Sequence, residues 1–370
     1  MKPHVLIVIS DLGPGGAQPM NLRLARHLKG RDYPVRVVTL FKRSWFEPLD
    51  ASDLDLVRLG AKGVSKPLVA LRLVPLARQA DVVIGGMEDA STNYGWLAAR
   101  LARKPFIAWT HIAFEQHLQR QGWLDRWLSL RVRRHVRWTV FPAQGTLDSM
   151  RRALGKQPPD STWQVIENFL DPMPEPAPRA PDPKLFAKPV LMGIGRLAEQ
   201  KGFERLIRAH AALRAQGLDH HLVILGEGPK RQELEAEIGR LDVQDTAFLP
   251  GQVSNVHDWL AHATVFALCS RYEGFALVLL EALACGVPCV AMDCPAGPRE
   301  ILEDGWAGLL TPDGDELAFQ EALAKLFTDA DLRSLYALRG KERARHYSPE
   351  RIVPMWERLL ERVASAAKGA

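Results

Sequence analysis

The chain has 370 residues, with 48 Lys and Arg against 43 Asp and Glu and a formal net charge of +5. Its 47% hydrophobic and 25% charged residues are ordinary for a soluble globular protein, and the length calls for two domains rather than one core. The apolar run at residues 4–9 stops at Ser10-Asp11. It is too short for a signal-peptide core or a bilayer span, so a cytoplasmic protein is expected.

In chain order, strands are predicted at 4–9, 35–41, 81–84, 105–109 and 138–141, with helices at 19–28, 68–80, 92–102, 123–135 and 146–154 between them. Such alternation implies a parallel sheet covered on both faces. Gly13-Pro14-Gly15-Gly16-Ala17 joins the first strand to the first helix, and its N–H groups suit a phosphate. It is not a dinucleotide fingerprint, because Gly-x-Gly-x-x-Gly is absent and the second strand ends in Lys42-Arg43 rather than an acid. Trp109-Thr110-His111 closes the strand from residue 105. The proline-rich stretch 171–183 forms neither helix nor central strand and reads as a stiff linker. The pattern then restarts, with strands at 190–194, 221–225, 265–268 and 289–292 and helices at 204–216 and 277–283. The chain therefore reads as two doubly wound α/β halves.

Four motifs sit at strand ends of the second half, where ligands bind in open parallel sheets. Gly195-Arg196-Leu197 runs into Gln200-Lys201-Gly202, placing two cations at a strand end that leads into a helix; cations there signal a nearby anion, since a helix N-terminus disfavours them. Gly226-Glu227-Gly228-Pro229 follows the next strand, and Leu249-Pro250-Gly251-Gln252-Val253 lies beyond it. Most informative is Ser270-Arg271-Tyr272-Glu273-Gly274-Phe275-Ala276-Leu277, continuing through Glu281 to Gly286-Val287-Pro288. It reads as strand, glycine-containing loop, helix, strand, with two carboxylates eight positions apart.

This segment resembles the Glu-x7-Glu signature of glycosyltransferase family 4, whose members are retaining enzymes with the GT-B fold. Gly195-Arg196-Leu197…Gln200-Lys201-Gly202, Gly226-x-Gly228-Pro229 and Asp293-Cys-Pro-Ala-Gly297-Pro298 also match, the last in a variant common among enzymes of bacterial surface polysaccharides. The resemblance implies two facing Rossmann-like domains with a cleft between them, and a nucleoside-diphosphate sugar, with UDP expected, as donor. It assigns Arg196 and Lys201 to the diphosphate, Glu273 to the transferred sugar, His111 to the donor sugar or acceptor, and Glu281 to the ribose. Gly16, Gly195, Gly226, Glu227, Val253, Phe275, Ala276 and Leu277 complete the donor contacts. No metal or cofactor is called for. Residues 1–170 match only loosely, and Gln18-Pro19 stands where the family carries a polar pair.

The implied division is an acceptor-side domain at 1–170, a linker at 171–188, a nucleotide-sugar domain at 189–346 and a terminal helix at 347–370. That helix either crosses back to the first domain, as is common in GT-B proteins, or is an ordinary amphipathic cap. Residues 1–170 hold 25 Lys and Arg against 14 Asp and Glu, a net +11, leaving −6 for the rest. A basic first domain faces something anionic: nucleic acid, a membrane surface or a diphosphate-bearing acceptor. The helix at 123–135 is basic and tryptophan-rich. Trp123, Trp127 and Leu130 share one face, with Arg120, Arg131 and Arg134 near its margin, and Arg133 joins Arg131 and Arg134 as a candidate membrane or acceptor contact. It reads as an acceptor-side element in the inner membrane face, or as a helix packed on the sheet with solvated arginines. The four cysteines form no Cys-x-x-Cys pair and read as reduced, buried thiols rather than metal ligands. The function that emerges is hexosyl or N-acetylhexosaminyl transfer to a lipid-linked saccharide. Other GT-B chemistry (an epimerase, or transfer to a soluble acceptor) and, remotely, nucleic-acid binding are the alternatives.

Overall fold

A computed structural model describes residues 1–13, 15–41, 49–61, 68–88, 90–177 and 179–368. Pro14, Lys42, Arg43 and Pro178 of the motifs above lie outside the described residues. The chain forms two compact units, Met1–Phe169 with Pro349–Ala370, and Leu170–Ser348.

The first unit runs β1 (Val5–Ile9), α1 (Ala17–Lys29), β2 (Val35–Phe41), β3 (Asp55–Ala61), α2 (Val69–Gln79), β4 (Val82–Gly85), α3 (Ala90–Ala102), β5 (Phe106–Trp109), α4 (Phe114–Gln119), α5 (Trp123–Arg133), β6 (Trp138–Phe141), α6 (Gln144–Leu154) and β7 (Thr162–Val165). Its sheet is parallel throughout, in the order β3-β2-β1-β4-β5-β6-β7. Every residue of β1, β4, β5 and β6 is buried, as expected where both faces are covered. Leu6 and Val8 of β1, Phe106 and Ala108 of β5, Leu73 of α2, Ala98 of α3 and Val132 of α5 share one buried cluster, so α2, α3 and α5 cover the same face. The edge strands β3 and β7 were not foreseen. They mix polar and apolar residues and stay partly accessible, so no continuous apolar run marks them.

The second unit runs β8 (Val190–Ile194), α7 (Phe203–Ala215), β9 (His221–Leu225), α8 (Arg231–Arg240), β10 (Ala247–Gly251), α9 (Val256–Ala261), β11 (Val265–Leu268), α10 (Leu277–Cys285), β12 (Cys289–Asp293), α11 (Pro298–Ile301), β13 (Leu309–Pro312), α12 (Glu316–Thr328) and α13 (Ala330–Arg345). Its sheet is also parallel, ordered β10-β9-β8-β11-β12-β13. Edge strands β10 and β13 again escaped the sequence reading, because Pro250 and Pro312 break their apolar runs; proline is tolerated in a sheet only at its edges.

The last helix, α14 (Pro349–Lys368), clusters with the first unit and packs against α1 and β4. Its Trp356 is fully buried, with its ring 4.6 Å from that of Trp109 on β5. Truncating a buried Trp typically costs about 3–5 kcal/mol, so this contact is a main tether of α14.

Candidate functional site

In the second unit the chain first lays down β8, then places β9 on one side of it and, after β10, returns to place β11 on the other. The connections leaving β8 and β11 therefore part in opposite directions, which opens a crevice at their carboxyl ends. Three glycines bring the loops there into contact. Gly226 has φ +138°, and a Cβ on it would stand 2.0 Å from the Gly195 carbonyl oxygen. A Cβ on Gly228 would stand 2.3 Å from the carbonyl oxygen of Leu197, whose own N–H donates to Glu227 O at 2.9 Å. Gly202 (φ +62°) lies so near the end of β11 that a Cβ would meet Cys269 O at 2.5 Å. No other residue fits these approaches without backbone shifts.

The close approach brings together side chains 72 residues apart. Lys201 Nζ lies 2.6 Å from Glu273 Oε1, and the Ser270 hydroxyl donates to the same oxygen at 2.6 Å. Glu273 is 5% exposed and Ser270 1%. Two further bonds fix the loop: Gln200 Nε2 donates to Tyr272 O at 3.1 Å and the Glu273 N–H to Pro295 O at 3.1 Å. Arg196 is exposed. Glu227 pairs with Arg231 at 2.7 Å, and Val253 is half-buried just beyond β10. Glu281 is half-buried on α10, near enough to Cys285 that its charge, after burial, helps push that thiol up to about 11.

Phe275 lies in the loop between β11 and α10. Its ring is 3% exposed and packs at 5.4 Å on that of Tyr347. Ala276 caps α10 with φ +62°, a left-handed conformation that costs a non-glycine residue roughly 1–2 kcal/mol; Leu277 follows half-buried.

In the first unit the corresponding crevice lies between β1 and β4. Gly16, exposed, caps α1 after β1, and His111 follows β5. His111 is held by residues that sequence reading missed. Asn21 Nδ2 reaches both Gly86 O (2.6 Å) and His111 Nε2 (3.4 Å), and Glu88 accepts from the backbone N–H groups of His111 and, at 3.2 Å, Ile112. The signal for Asn21 was a polar side chain amid the buried apolar face of α1. Glu88 follows a strand end, where such a residue earns notice. Burial lowers the His111 imidazole to about 4 despite the charge of Glu88, so it is neutral at physiological pH.

Helix α5 exposes Trp123 (81%), Leu124, Trp127 (57%) and Leu128, with Arg131 and Arg134 also exposed. Two expectations fail here. Leu130 packs against the cluster around Phe114 and Leu118, and Arg133 is buried, its guanidinium 5.5 Å from the Phe114 ring. At 100° per residue, Arg133 lies about 40° from buried Ser129 and about 160° from exposed Arg131. Among the described residues no group of three or more His, Cys, Asp or Glu side chains could hold a metal ion, and no helix is long and apolar enough to cross a membrane. Burial pushes the thiol of Cys269 up to about 12.

Two family models match the chain: "Glycosyltransferase Family 4" over residues 14–173 and "Glycosyl transferases group 1" over residues 180–343. A Campylobacter jejuni N-acetylgalactosamine-N,N'-diacetylbacillosaminyl-diphospho-undecaprenol 4-alpha-N-acetylgalactosaminyltransferase is 36% identical over 162 residues, 44% of each chain. This match thus spans less than half of that relative. A second Campylobacter jejuni enzyme, a GalNAc-alpha-(1->4)-GalNAc-alpha-(1->3)-diNAcBac-PP-undecaprenol alpha-1,4-N-acetyl-D-galactosaminyltransferase, is 25% identical over 98% of this chain and 99% of its own. The crystal structure of Anabaena HepE in complex with UDP and glucose superposes with a TM-score of 0.78 at 18% identity, covering 98% of this chain and 100% of that one. The fold is GT-B. The chain belongs to the group 1, family 4 glycosyltransferases.

Proposed function

We propose that the protein is a retaining, metal-independent glycosyltransferase. It moves a hexose or N-acetylhexosamine from a nucleoside-diphosphate sugar, with UDP the expected nucleotide, to a hydroxyl of a lipid-linked saccharide in surface-glycan biosynthesis. The observation that carries this reading is the 2.6 Å pairing of Lys201 with buried Glu273 at the crevice of the second unit. An ionised carboxylate accepts from sugar hydroxyls, and an ammonium has three donors, so Lys201 has capacity left for phosphate oxygens after serving Glu273. Support for the substrates comes from the Campylobacter relatives, named for diphospho-undecaprenol-linked saccharides, and from the UDP and glucose bound to the Anabaena protein.

In this reading the acceptor oxygen bonds to the anomeric carbon on the face from which the diphosphate leaves. The acceptor proton passes to the departing phosphate oxygen. Arg196 and Lys201 neutralise the charge growing on that oxygen, the role such cations fill best in a site closed to water. Glu273 orients the sugar, Glu281 holds the ribose, the Gly16 N–H donates to phosphate, and neutral His111 offers a hydrogen bond without a competing charge.

The lipid-linked acceptor puts the protein peripherally on the inner membrane face. The helical layer α2–α3–α5 supports this. Among the described residues it carries, with Leu68 at its edge, eight of twelve exposed large apolar side chains: Leu68, Leu71, Leu97, Leu101, Trp123, Leu124, Trp127 and Leu128. Arg72, Arg100, Arg126 and Arg131 are exposed on the same helices, whose one acidic residue is Asp125. Tryptophan and leucine beside arginine is the composition that anionic lipid headgroups favour.

The deciding experiment is a panel of nucleoside diphosphates and their sugars ranked by thermal stabilisation, followed by transfer to a polyprenyl-diphosphate saccharide. Donor-dependent glycosylation of the acceptor is expected. Donor turnover that needs no acceptor would favour an epimerase, and stabilisation by no nucleotide would overturn the reading.

A further inference from the structure

Both donors that reach the Glu273 carboxylate use one oxygen. Lys201 Nζ and Ser270 Oγ each lie 2.6 Å from Oε1, while Oε2 takes no hydrogen bond among the described residues. We propose that Ser270 is a positioning residue: it shares Oε1 with Lys201 and thereby presents Oε2 to a hydroxyl of the donor sugar. The inference rests on the donor-sugar role proposed for Glu273 and adds a residue to it.

The physical case is one of geometry and burial. A carboxylate on a terminal sp³–sp² torsion turns broadly when nothing holds it. One ammonium beside it does not fix that plane, because Lys is a point charge on a flexible stem and can bridge both oxygens. A second donor on the same oxygen removes that freedom. Ser270 is suited to the task, three residues before Glu273 in the loop after β11 and 1% exposed, so water does not compete for its hydroxyl. Its neighbours are fixed too, Cys269 by its thiol donating to Lys201 O at 3.2 Å and Arg271 by its N–H donating to Gln200 O at 2.8 Å. Without the hydroxyl, Lys201 is free to straddle both carboxylate oxygens and compete with the sugar for Oε2.

The consequence is selective. The contact of Oε2 with sugar does not exist when the bare nucleotide binds, so Ser270→Ala should leave UDP affinity within about twofold of the parent. It should lower kcat/KM for the donor sugar roughly tenfold, the scale of one hydrogen bond to a charged group. Ser270→Thr keeps the hydroxyl and should recover most of the loss. Calorimetric titration with UDP and with the UDP-sugar, alongside transfer kinetics, reads the parent and both variants, and UDP binding serves as the control for folding. Equal kcat/KM in Ser270→Ala and parent overturns the inference alone. A matching loss of UDP and donor-sugar affinity also overturns it, since that marks general disruption. A parent that binds neither ligand sinks the donor reading of the site, and this inference with it.

Discussion

The helices of the second unit and the α2–α3–α5 layer of the first use arginine in opposite ways. On the second unit arginines are matched at home: Arg205 with Asp313, Arg208 with Glu316, Arg214 with Asp219, Arg231 with Glu227, Arg271 with Glu204 and Arg299 with Asp293. On the α2–α3–α5 layer of the first unit, Arg72, Arg100, Arg126, Arg131 and Arg134 share in no ion pair among the described residues, and tryptophan and leucine are exposed beside them. Exposed ion pairs add little stability, so the difference is not one of holding the fold together. Its effect is on the field each surface projects: the paired arginines of the second cancel their charge locally, and those of the α2–α3–α5 layer leave theirs uncancelled.

The largest expected effect lies in the second unit. Lys201→Ala leaves the buried Glu273 carboxylate without its counter-charge, which typically costs about 3–5 kcal/mol. Transfer should fall by roughly 10²–10³, as when one charge-stabilising donor is removed. Thermal melts and turnover measure the two losses, and turnover at the parent rate would show that the second unit does not carry the chemistry.

Acid should weaken both units. Burial holds the imidazole of His111 at about 4 in the first, and burial followed by the nearby His220 and Arg214 charges holds His210 at about 3 in the second. Both are neutral when folded and take up a proton only on unfolding. Their contribution is therefore complete above the unfolded value near 6.5 and is lost as pH falls, toward 4 for His111 and toward 3 for His210. By linkage His111 accounts for up to about 3 kcal/mol and His210 for up to about 5. Chemical unfolding between pH 7 and 4 should show the decline, and His111→Gln should flatten part of it. An unchanged slope in that variant would remove His111 as a cause.

The two glutamates of the second unit should then separate. Glu281→Ala is expected to weaken bare nucleotide binding, whereas Glu273→Ala should preserve it and lower transfer. Equal loss of nucleotide affinity in both variants would count against the assigned roles.

The smallest effect tests the surface contrast itself. Arg131→Ser with Arg134→Ser should lower binding to anionic vesicles by about 1 kcal/mol per residue, with parent binding weakening as salt is added. Arg231→Ser with Arg299→Ser, on the matched surface, should change vesicle binding little. Equal sedimentation of all three proteins would make α5 a packing element and leave the acceptor free to be soluble. Arg133 stays out of this test because its burial against Phe114 ties it to the fold.

What could be read ahead of the structure follows the physics of each signal. Strands buried on both faces announce themselves as mainly apolar runs, so β1, β2, β4 to β6, β8, β9, β11 and β12 were legible. The edge strands β3, β7, β10 and β13 were not, because half-covered strands carry polar residues and prolines. Strand-end motifs pointed to Lys201, Glu273 and His111. Ser270, Asn21 and Glu88 were passed over because an isolated Ser, Asn or Glu has many ordinary fates, and only their neighbours in space distinguish them.

By itself, then, the sequence determined the alternation of strand and helix, the two-unit division and the chemical types gathered at the strand ends. These are local properties, set by hydrophobic period and by glycines that alone tolerate the turns. The tertiary structure decided the rest. Lys201 meets Glu273 because the chain returns to lay β11, rather than β10, beside β8. Arg133 turns inward, and Arg131 outward, because of where the sheet lies under α5. Strand order and helix facing arise from contacts far apart in the chain, and no pattern within a single element encodes them.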